Sequence, residues 1–336
     1  MNFLQNISLK AFNTFGIDVT ARQFITCTSI QDLPQILADN KDTPLLILGG
    51  GSNMLFTKDF NGTVIKNEIK GISIVKEDDQ HIYIKAGGGE VWQDFVSYCV
   101  DHNYGGIENL SLIPGTVGAS PIQNIGAYRV EIKDTFHELT AYHIEDKKLI
   151  TFNKEECKFG YRDSIFKNEY KNKLFIVDVT FRLDKQPVFK TSYGDIEAKI
   201  KEQHIEVLTV KAISDIICDI RKSKLPDPAV VGNAGSFFKN PVVDKALSNA
   251  ILADYPNAPH FKVDDTHDKI PAAWLIEQCG WKGKSEGEVG CHAKQPLVLI
   301  NLGKAEGQSI YNFSQKIMDS VKEKFGVKLE REVNIL

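Results

Sequence analysis

LGGGSN (Leu48–Asn53) and PGTVGASPIQNIGAY (Pro114–Tyr128) are the two stretches on which the fold turns. The first follows an apolar run, Leu45-Leu46-Ile47-Leu48, as a buried strand entering a tight loop would. Without a Cβ, glycine lets backbone N–H groups approach an anion closely, and successive N–H groups form an anion-binding nest suited to a pyrophosphate. The spacing is neither GxGxxG with an acidic residue at Rossmann distance nor a Walker loop. Taken alone, LGGGSN reads first as a tight turn. The second stretch adds Gly115, Gly118 and Gly126 for unusual backbone angles, with Thr116, Ser120, Gln123 and Asn124 as hydrogen-bonding side chains. A loop of that length inside a compact domain is usually functional. Two glycine-rich loops flanking a strand and a helix point to a long cofactor with several phosphates.

Working outward, Gly62–Lys66 and His81–Ala86 read as strands, the latter running into Gly87-Gly88-Gly89. Val91, Phe95, Val96, Cys99 and Val100 recur at helical spacing and predict a helix from about Val91 to His102. Leu174–Leu183 alternates, with Phe175, Val177, Val179 and Phe181 expected on one face. Composition shifts near residue 205, and a domain boundary is expected between 205 and 212. Beyond it, Ile213, Ile216, Ile217 and Ile220 make an amphipathic helix. Ala272–Cys279 is a second helix, with Pro271 at its start and Gly280 at its end. Gln308–Phe325 is a third, stopped by Gly326, while Leu297–Ile300 and Val327–Ile335 read as strands. The mixture is α+β, without regular βαβ alternation.

At 336 residues the chain is long enough for two or three domains, and 42% hydrophobic and 25% charged residues are ordinary for a globular protein. A net charge of −4 argues against a nucleic-acid partner while leaving room for a local basic pocket. The six cysteines form no CxxC pair and no zinc spacing, and the eight histidines no HExxH, so no metal site is expected. MNFLQNISLKAF lacks the basic-then-apolar pattern of a signal peptide, which makes a cytoplasmic protein with reduced cysteines the expectation. No apolar run approaches the ~18 residues of a membrane span.

GGGSN followed by PGTVGASPIQNIGAY resembles the FAD-binding half of the UDP-N-acetylenolpyruvoylglucosamine reductases, the MurB family. Asn13-Thr14-Phe15, Phe159-Gly160-Tyr161-Arg162-Asp163-Ser164, Ser192-Tyr193-Gly194, KLPDPAVVGNAGSFFKNP (Lys224–Pro241) and Leu329-Glu330-Arg331-Glu332-Val333 are similar to further pieces in the same order, spanning nearly the whole chain. The resemblance implies the FAD-binding fold shared with vanillyl-alcohol oxidase, in two subdomains over residues 1–205 split near 68. A C-terminal α+β substrate domain would cover 206–325, and a strand over 326–336 would return to the active site. It implies that Gly49, Gly50, Gly51, Ser52 and Asn53 wrap the FAD pyrophosphate, and that Gly115, Thr116, Gly118, Ala119, Ser120, Asn124 and Ala127 line the flavin. One departure is Arg129, where the family usually carries glycine. If that position needs positive φ, arginine is strained there.

The activity implied is reduction of UDP-N-acetylglucosamine enolpyruvate to UDP-N-acetylmuramate for peptidoglycan, with NADPH as donor and a monomeric enzyme. Such chemistry needs a hydride from the flavin, a clamp on the enolpyruvyl carboxylate and a general acid within hydrogen-bond reach. By resemblance Ser236 is the proton donor. Arg162 is the clamp, its planar fork suited to a carboxylate. Glu332 hydrogen-bonds the developing aci-carboxylate or helps in proton transfer, which requires it protonated. Tyr161, Arg221, Lys224 and Asn240 fall on the substrate side, and Tyr193 closes over the diphosphate in the longer type of the family. From sequence alone, Ser236 is a small residue in a glycine loop, Arg162 a surface arginine beside Asp163, and Glu332 a strand-edge carboxylate facing the same side as Glu330. Trp274 reads as core, and His292 has no assigned role. An oxidase of the same fold and a UDP-sugar-binding protein without catalysis are the rival readings. No histidine or cysteine lies within the glycine loops to tether a flavin, and Ser236, Arg162 and Glu332 argue against lost catalysis.

Overall fold

Leu174–Asp184 forms the strand that its alternation predicts, but it is buried on both faces rather than one. Thr140 opposes Asp178 and Ala141 opposes Ile176, which leaves Val177 as an extra residue in the ladder. A bulge of this kind reverses the side-chain alternation beyond it. Phe175 and Val177 therefore enter one core with Ile25, Leu33 and Ile65. Ile176, Val179, Phe181 and Leu183 enter another, with Trp92 and Phe95. The expected single face for Phe175, Val177, Val179 and Phe181 is corrected accordingly.

In the computed structural model, which describes residues 3–40, 43–192 and 194–336, the chain divides into two compact units. The first holds residues 1–7, 21–50 and 61–223, and the second holds 8–20, 51–60 and 224–336. Within the first unit, Leu174–Asp184 is the middle strand of a five-stranded antiparallel sheet. The strand order is Lys148–Asn153, Phe136–His143, Leu174–Asp184, His81–Gly87, Ile72–Glu77. A four-stranded sheet runs Leu4–Ser8, Thr20–Cys27, Phe60–Asn67, Leu45–Leu48, its last pair parallel. The helix Trp92–Asp101 buries Phe95, Val96, Cys99 and Val100 as their spacing predicts, together with Trp92; Val91, expected on that face, instead precedes the helix as its cap residue and is exposed. Trp92 and Phe95 stand 5.7 and 5.0 Å from the Phe181 ring, and the Trp92 indole N–H donates to the Leu110 carbonyl at 2.9 Å.

The helix Val210–Lys224 buries Ile213, Ile216, Ile217 and Ile220 against Ile196 of the helix Gly194–Glu202. That apolar face ties it to the first unit. The two units consequently part at Ser223/Lys224, beyond the 205–212 interval where composition shifts.

In the second unit, a four-stranded sheet is ordered Gly232–Ser236, Val298–Asn301, Val289–Cys291, Ser285–Glu286. Helices Ala272–Gln278 and Gly307–Phe325 occupy the expected segments, the latter ended by left-handed Gly326 at φ 69°. The segment 327–336 is not the continuous strand expected. Only Asn334–Ile335 pairs, in parallel with Met54–Leu55, while Arg331 makes an isolated antiparallel bridge with Phe238. The tail is extended chain that changes partner partway, so no single ladder forms.

Candidate active site

In the first unit the two glycine stretches approach so closely that side chains are excluded. A Cβ at Gly49 would lie 2.7 Å from the Thr116 hydroxyl, and one at Gly50 would lie 2.8 Å from Gly115 Cα. The 114–118 segment is docked by its backbone: Trp92 N–H donates to Gly115 O at 3.0 Å, Val117 N–H to Glu90 O at 2.9 Å, and Gly118 N–H to Gly88 O at 2.9 Å. The Thr116 hydroxyl is buried and has no hydrogen-bond partner among the described residues. A buried hydroxyl without a partner costs free energy unless a ligand satisfies it. The cradle and this hydroxyl fit a bound cofactor with close-approaching phosphate or flavin atoms.

Other residues expected at the flavin have local duties. The Ser120 hydroxyl donates to Val117 O at 2.7 Å. The fully buried Asn124 donates to Glu131 Oε2 at 3.0 Å and Gly160 O at 2.9 Å, and accepts from Lys133 N–H at 3.1 Å. Asn124 therefore braces the loop with its whole amide. Tyr128 and Arg129 follow at φ 49° and 65°. The left-handed backbone suspected at Arg129 is present.

Arg162 also sits at positive φ, 53°, and its Nη2 donates to Gly126 O at 2.7 Å, which ties the clamp candidate to the glycine loop. Arg221 donates from Nε to Leu112 O at 3.3 Å. Burial pushes the Arg221 pKa down from its ordinary value; Tyr128 opposes the shift and the nearby Arg162 reinforces it. An arginine stays protonated even so. Two guanidiniums in one neighbourhood make a place where an anion is electrostatically welcome. Tyr161 beside them is 37% exposed. Tyr193 lies outside the described residues.

Gly51, in the second unit, has φ 64°, and a Cβ there would run into the Phe12 carbonyl. Thr14 N–H donates to Gly51 O at 3.1 Å, and Asn13 spans its own turn through Leu9 O and Ile17 O at 2.7 and 2.9 Å. Asn13-Thr14-Phe15 thus supports the GGGSN loop. Ser236 ends the strand Gly232–Ser236, half-buried, after Gly235 at φ 66°. Asn233 shapes that turn, accepting from Gly235 N–H at 2.9 Å and donating to Val231 O at 2.8 Å.

Glu332 is 8% exposed, and its N–H donates to the carbonyl of Phe237, the residue after Ser236, at 2.8 Å. Asn53 Nδ2 donates to Glu332 O at 3.3 Å. Glu330, expected on the same face, is exposed and paired with Lys239 at 3.0 Å; the irregular tail separates the two carboxylates. The Asn240 carbonyl accepts from Ala272 N–H at 2.9 Å at a helix start. Lys224 is half-buried at the end of its helix. Trp274, expected as core, is half-buried and packs on Tyr255 and Phe325, both at 5.5 Å. His292 has a buried Nδ1 with no hydrogen-bond partner among the described residues, and burial lowers its pKa. Among the described residues no group of His, Cys, Asp and Glu is arranged to hold a metal, and no helix is long and apolar enough to cross a membrane. Arg331 and Asn233 were not singled out from sequence; no spacing rule marks a residue that supports its neighbour.

Two family models match the chain. An FAD binding domain covers residues 21–152, and the C-terminal domain of UDP-N-acetylenolpyruvoylglucosamine reductase covers 227–336. These define an FAD-binding protein with a specialised C-terminal domain, and the expected fold class is borne out. The chain is 49% identical over 337 residues to the UDP-N-acetylenolpyruvoylglucosamine reductase of Flavobacterium johnsoniae, with 100% of both chains covered. It is 50% identical over 338 residues to that of Amoebophilus asiaticus, again covering 100% of both. The crystal structure of UDP-N-acetylenolpyruvylglucosamine reductase (MurB) from Thermus caldophilus shares the fold, with TM-score 0.69 at 20% identity over 99% of this chain and 98% of that one. The chain belongs to the UDP-N-acetylenolpyruvoylglucosamine reductase family.

Proposed function

We propose that this protein reduces UDP-N-acetylglucosamine enolpyruvate to UDP-N-acetylmuramate, a peptidoglycan precursor, with FAD as cofactor and NADPH as electron source. The carrying observation is the full-length likeness to reductases named for that substrate, at 49% and 50% identity. Gly49 to Asn53 would hold the FAD pyrophosphate. The Gly115–Ala127 segment would face the flavin, with the Thr116 hydroxyl finding there the partner it lacks. Bound FAD supplies the hydride.

The remaining work belongs to the chain. Hydride addition leaves negative charge that spreads into the substrate carboxylate. Arg162 would clamp that carboxylate, assisted by the positive field of Arg221, and so stabilise charge as it develops. Ser236 would donate the proton, and Glu332 would hydrogen-bond the developing aci-carboxylate or help in proton transfer. Tyr161, Tyr193, Lys224 and Asn240 are assigned to the UDP-sugar.

We place the enzyme in the cytoplasm as a monomer. All six cysteines are free, and burial pushes the Cys157 and Cys291 thiols up to about 12, as suits inert thiols in a reducing compartment. Sedimentation at 37.6 kDa would check the monomer.

Anaerobic visible spectra test the activity. A flavin band that bleaches with NADPH and returns on adding the enolpyruvyl sugar is the expected result. A band that returns only in air makes the protein an oxidase. A colourless protein that binds the sugar overturns catalysis altogether.

A further inference from the structure

Glu332 is flanked by an arginine whose side chain has three partners on one helix. Arg331 Nε donates to Ser314 Oγ at 2.8 Å, its Nη2 to Gln315 Oε1 at 2.9 Å, and its guanidinium lies 4.2 Å from the centre of the Tyr311 ring. Positions 311, 314 and 315 share one face of the helix Gly307–Phe325. Ser314 is fully buried and donates its own proton to Tyr311 O at 2.6 Å, which turns its lone pairs toward the arginine. The backbone on either side is fixed as well. Lys239 N–H donates to Glu330 O at 2.9 Å and Glu332 N–H to Phe237 O at 2.8 Å, while Asn334 N–H donates to Asn53 O at 3.1 Å.

An extended chain sends successive side chains to opposite sides. Locking residue 331 into the helix therefore sets how far residue 332 projects on the other side. We propose that Arg331 is a positioning residue that sets the placement of the Glu332 carboxylate for the sugar half-reaction. This rests on the role given to Glu332 above. A lysine would keep the charge but lose the fork.

Anaerobic stopped-flow on the holoenzyme separates the half-reactions. In Arg331→Met, bleaching by NADPH should stay within about twofold of the parent, since a residue acting through Glu332 has no part in it. Reoxidation by the enolpyruvyl sugar should slow about ten- to a hundredfold, the scale of a misplacement near 1 Å. Arg331→Lys should recover part of that loss. In Arg331→Met combined with Glu332→Gln, no slowing should appear beyond that of Glu332→Gln alone. Unchanged reoxidation in Arg331→Met, equal slowing of both halves, or multiplicative effects in the double variant would each overturn the proposal. Parent-like reoxidation by Glu332→Gln would instead overturn the role of Glu332 itself. If Arg331→Met does not fold, Gln315→Leu removes the Nη2 hydrogen bond and should slow the same half alone; parent-like reoxidation there overturns the proposal equally.

Discussion

The loop 114–128 and the tail 327–336 are both largely irregular, yet one depends on missing side chains and the other on side chains that are present. The loop is fixed backbone to backbone, through Gly115, Val117 and Gly118, and it depends on atoms being absent at Gly49, Gly50 and Gly118. The tail, which contains no glycine, is fixed by backbone bonds at Glu330, Glu332, Asn334 and Leu336 together with side chains: Arg331 on its helix, Asn53 on Glu332 O, and the Thr57 hydroxyl on Leu336 O at 2.7 Å. A segment built on missing atoms tolerates little substitution and shows itself as a glycine motif. A segment whose side chains make pairwise contacts can be altered piece by piece. The first should fail by losing its cofactor, and the second by losing one step.

The largest expected effect lies outside both segments, at Ser236, and shows what the loss of a single step looks like. Ser236→Ala removes a general acid, which typically costs about 10²- to 10⁴-fold. The loss should fall on reoxidation by the enolpyruvyl sugar and leave bleaching by NADPH nearly intact. Equal slowing of both halves would remove the proton-donor role. Gly50→Ala tests the loop. Its Cβ would stand 2.8 Å from Gly115 Cα, so backbone must move. FAD should bind about 100-fold more weakly, near 3 kcal/mol, as read from flavin per chain after dialysis. Full retention would mean that the two loops can part without harm.

The sequence exposed these regions unequally for the same reason. Leu45–Leu48 and the helix Trp92–Asp101 were legible because period and punctuation agree locally. The bulge at Val177 was not, since it is set by the partner Thr140–Ala141 across the sheet. Asn124 looked like a flavin contact because it lies in the motif; only the fold shows its amide committed to Glu131, Gly160 and Lys133. The separation of Glu330 from Glu332 likewise depends on Lys239 and Phe237, far away in sequence. Arg129 was legible as an anomaly, because positive φ is a property of the position and arginine a poor occupant of it.

Thr116→Val sharpens the claim that the loop awaits a ligand, and it carries two signs. The hydroxyl is buried and has no hydrogen-bond partner among the described residues, so an isosteric methyl should stabilise the apoprotein by about 1 kcal/mol. The same change should weaken FAD binding by about five- to tenfold, because the bound state loses a hydrogen bond. Thermal melts of the apoprotein and FAD titration read the two separately. Stabilised apoprotein with unchanged FAD affinity would mean that the hydroxyl faces no part of the cofactor.

The smallest effect is expected at Arg129→Gly. Holding an L residue in left-handed backbone costs roughly 1–2 kcal/mol, and Arg129 is at φ 65°. Glycine removes that strain but gives the unfolded chain more freedom, worth about 0.4–1 kcal/mol in the other direction. The contact from Arg129 to Ser192 Oγ is 3.4 Å and exposed, so its loss adds little. The balance favours glycine by about 0.5 kcal/mol, seen as a higher urea midpoint with unchanged slope. If the midpoint falls instead, arginine contributes more through its side chain than its backbone costs. Position 129 would then resemble the tail, where side chains add to backbone bonds, although it adjoins a loop that depends on missing side chains.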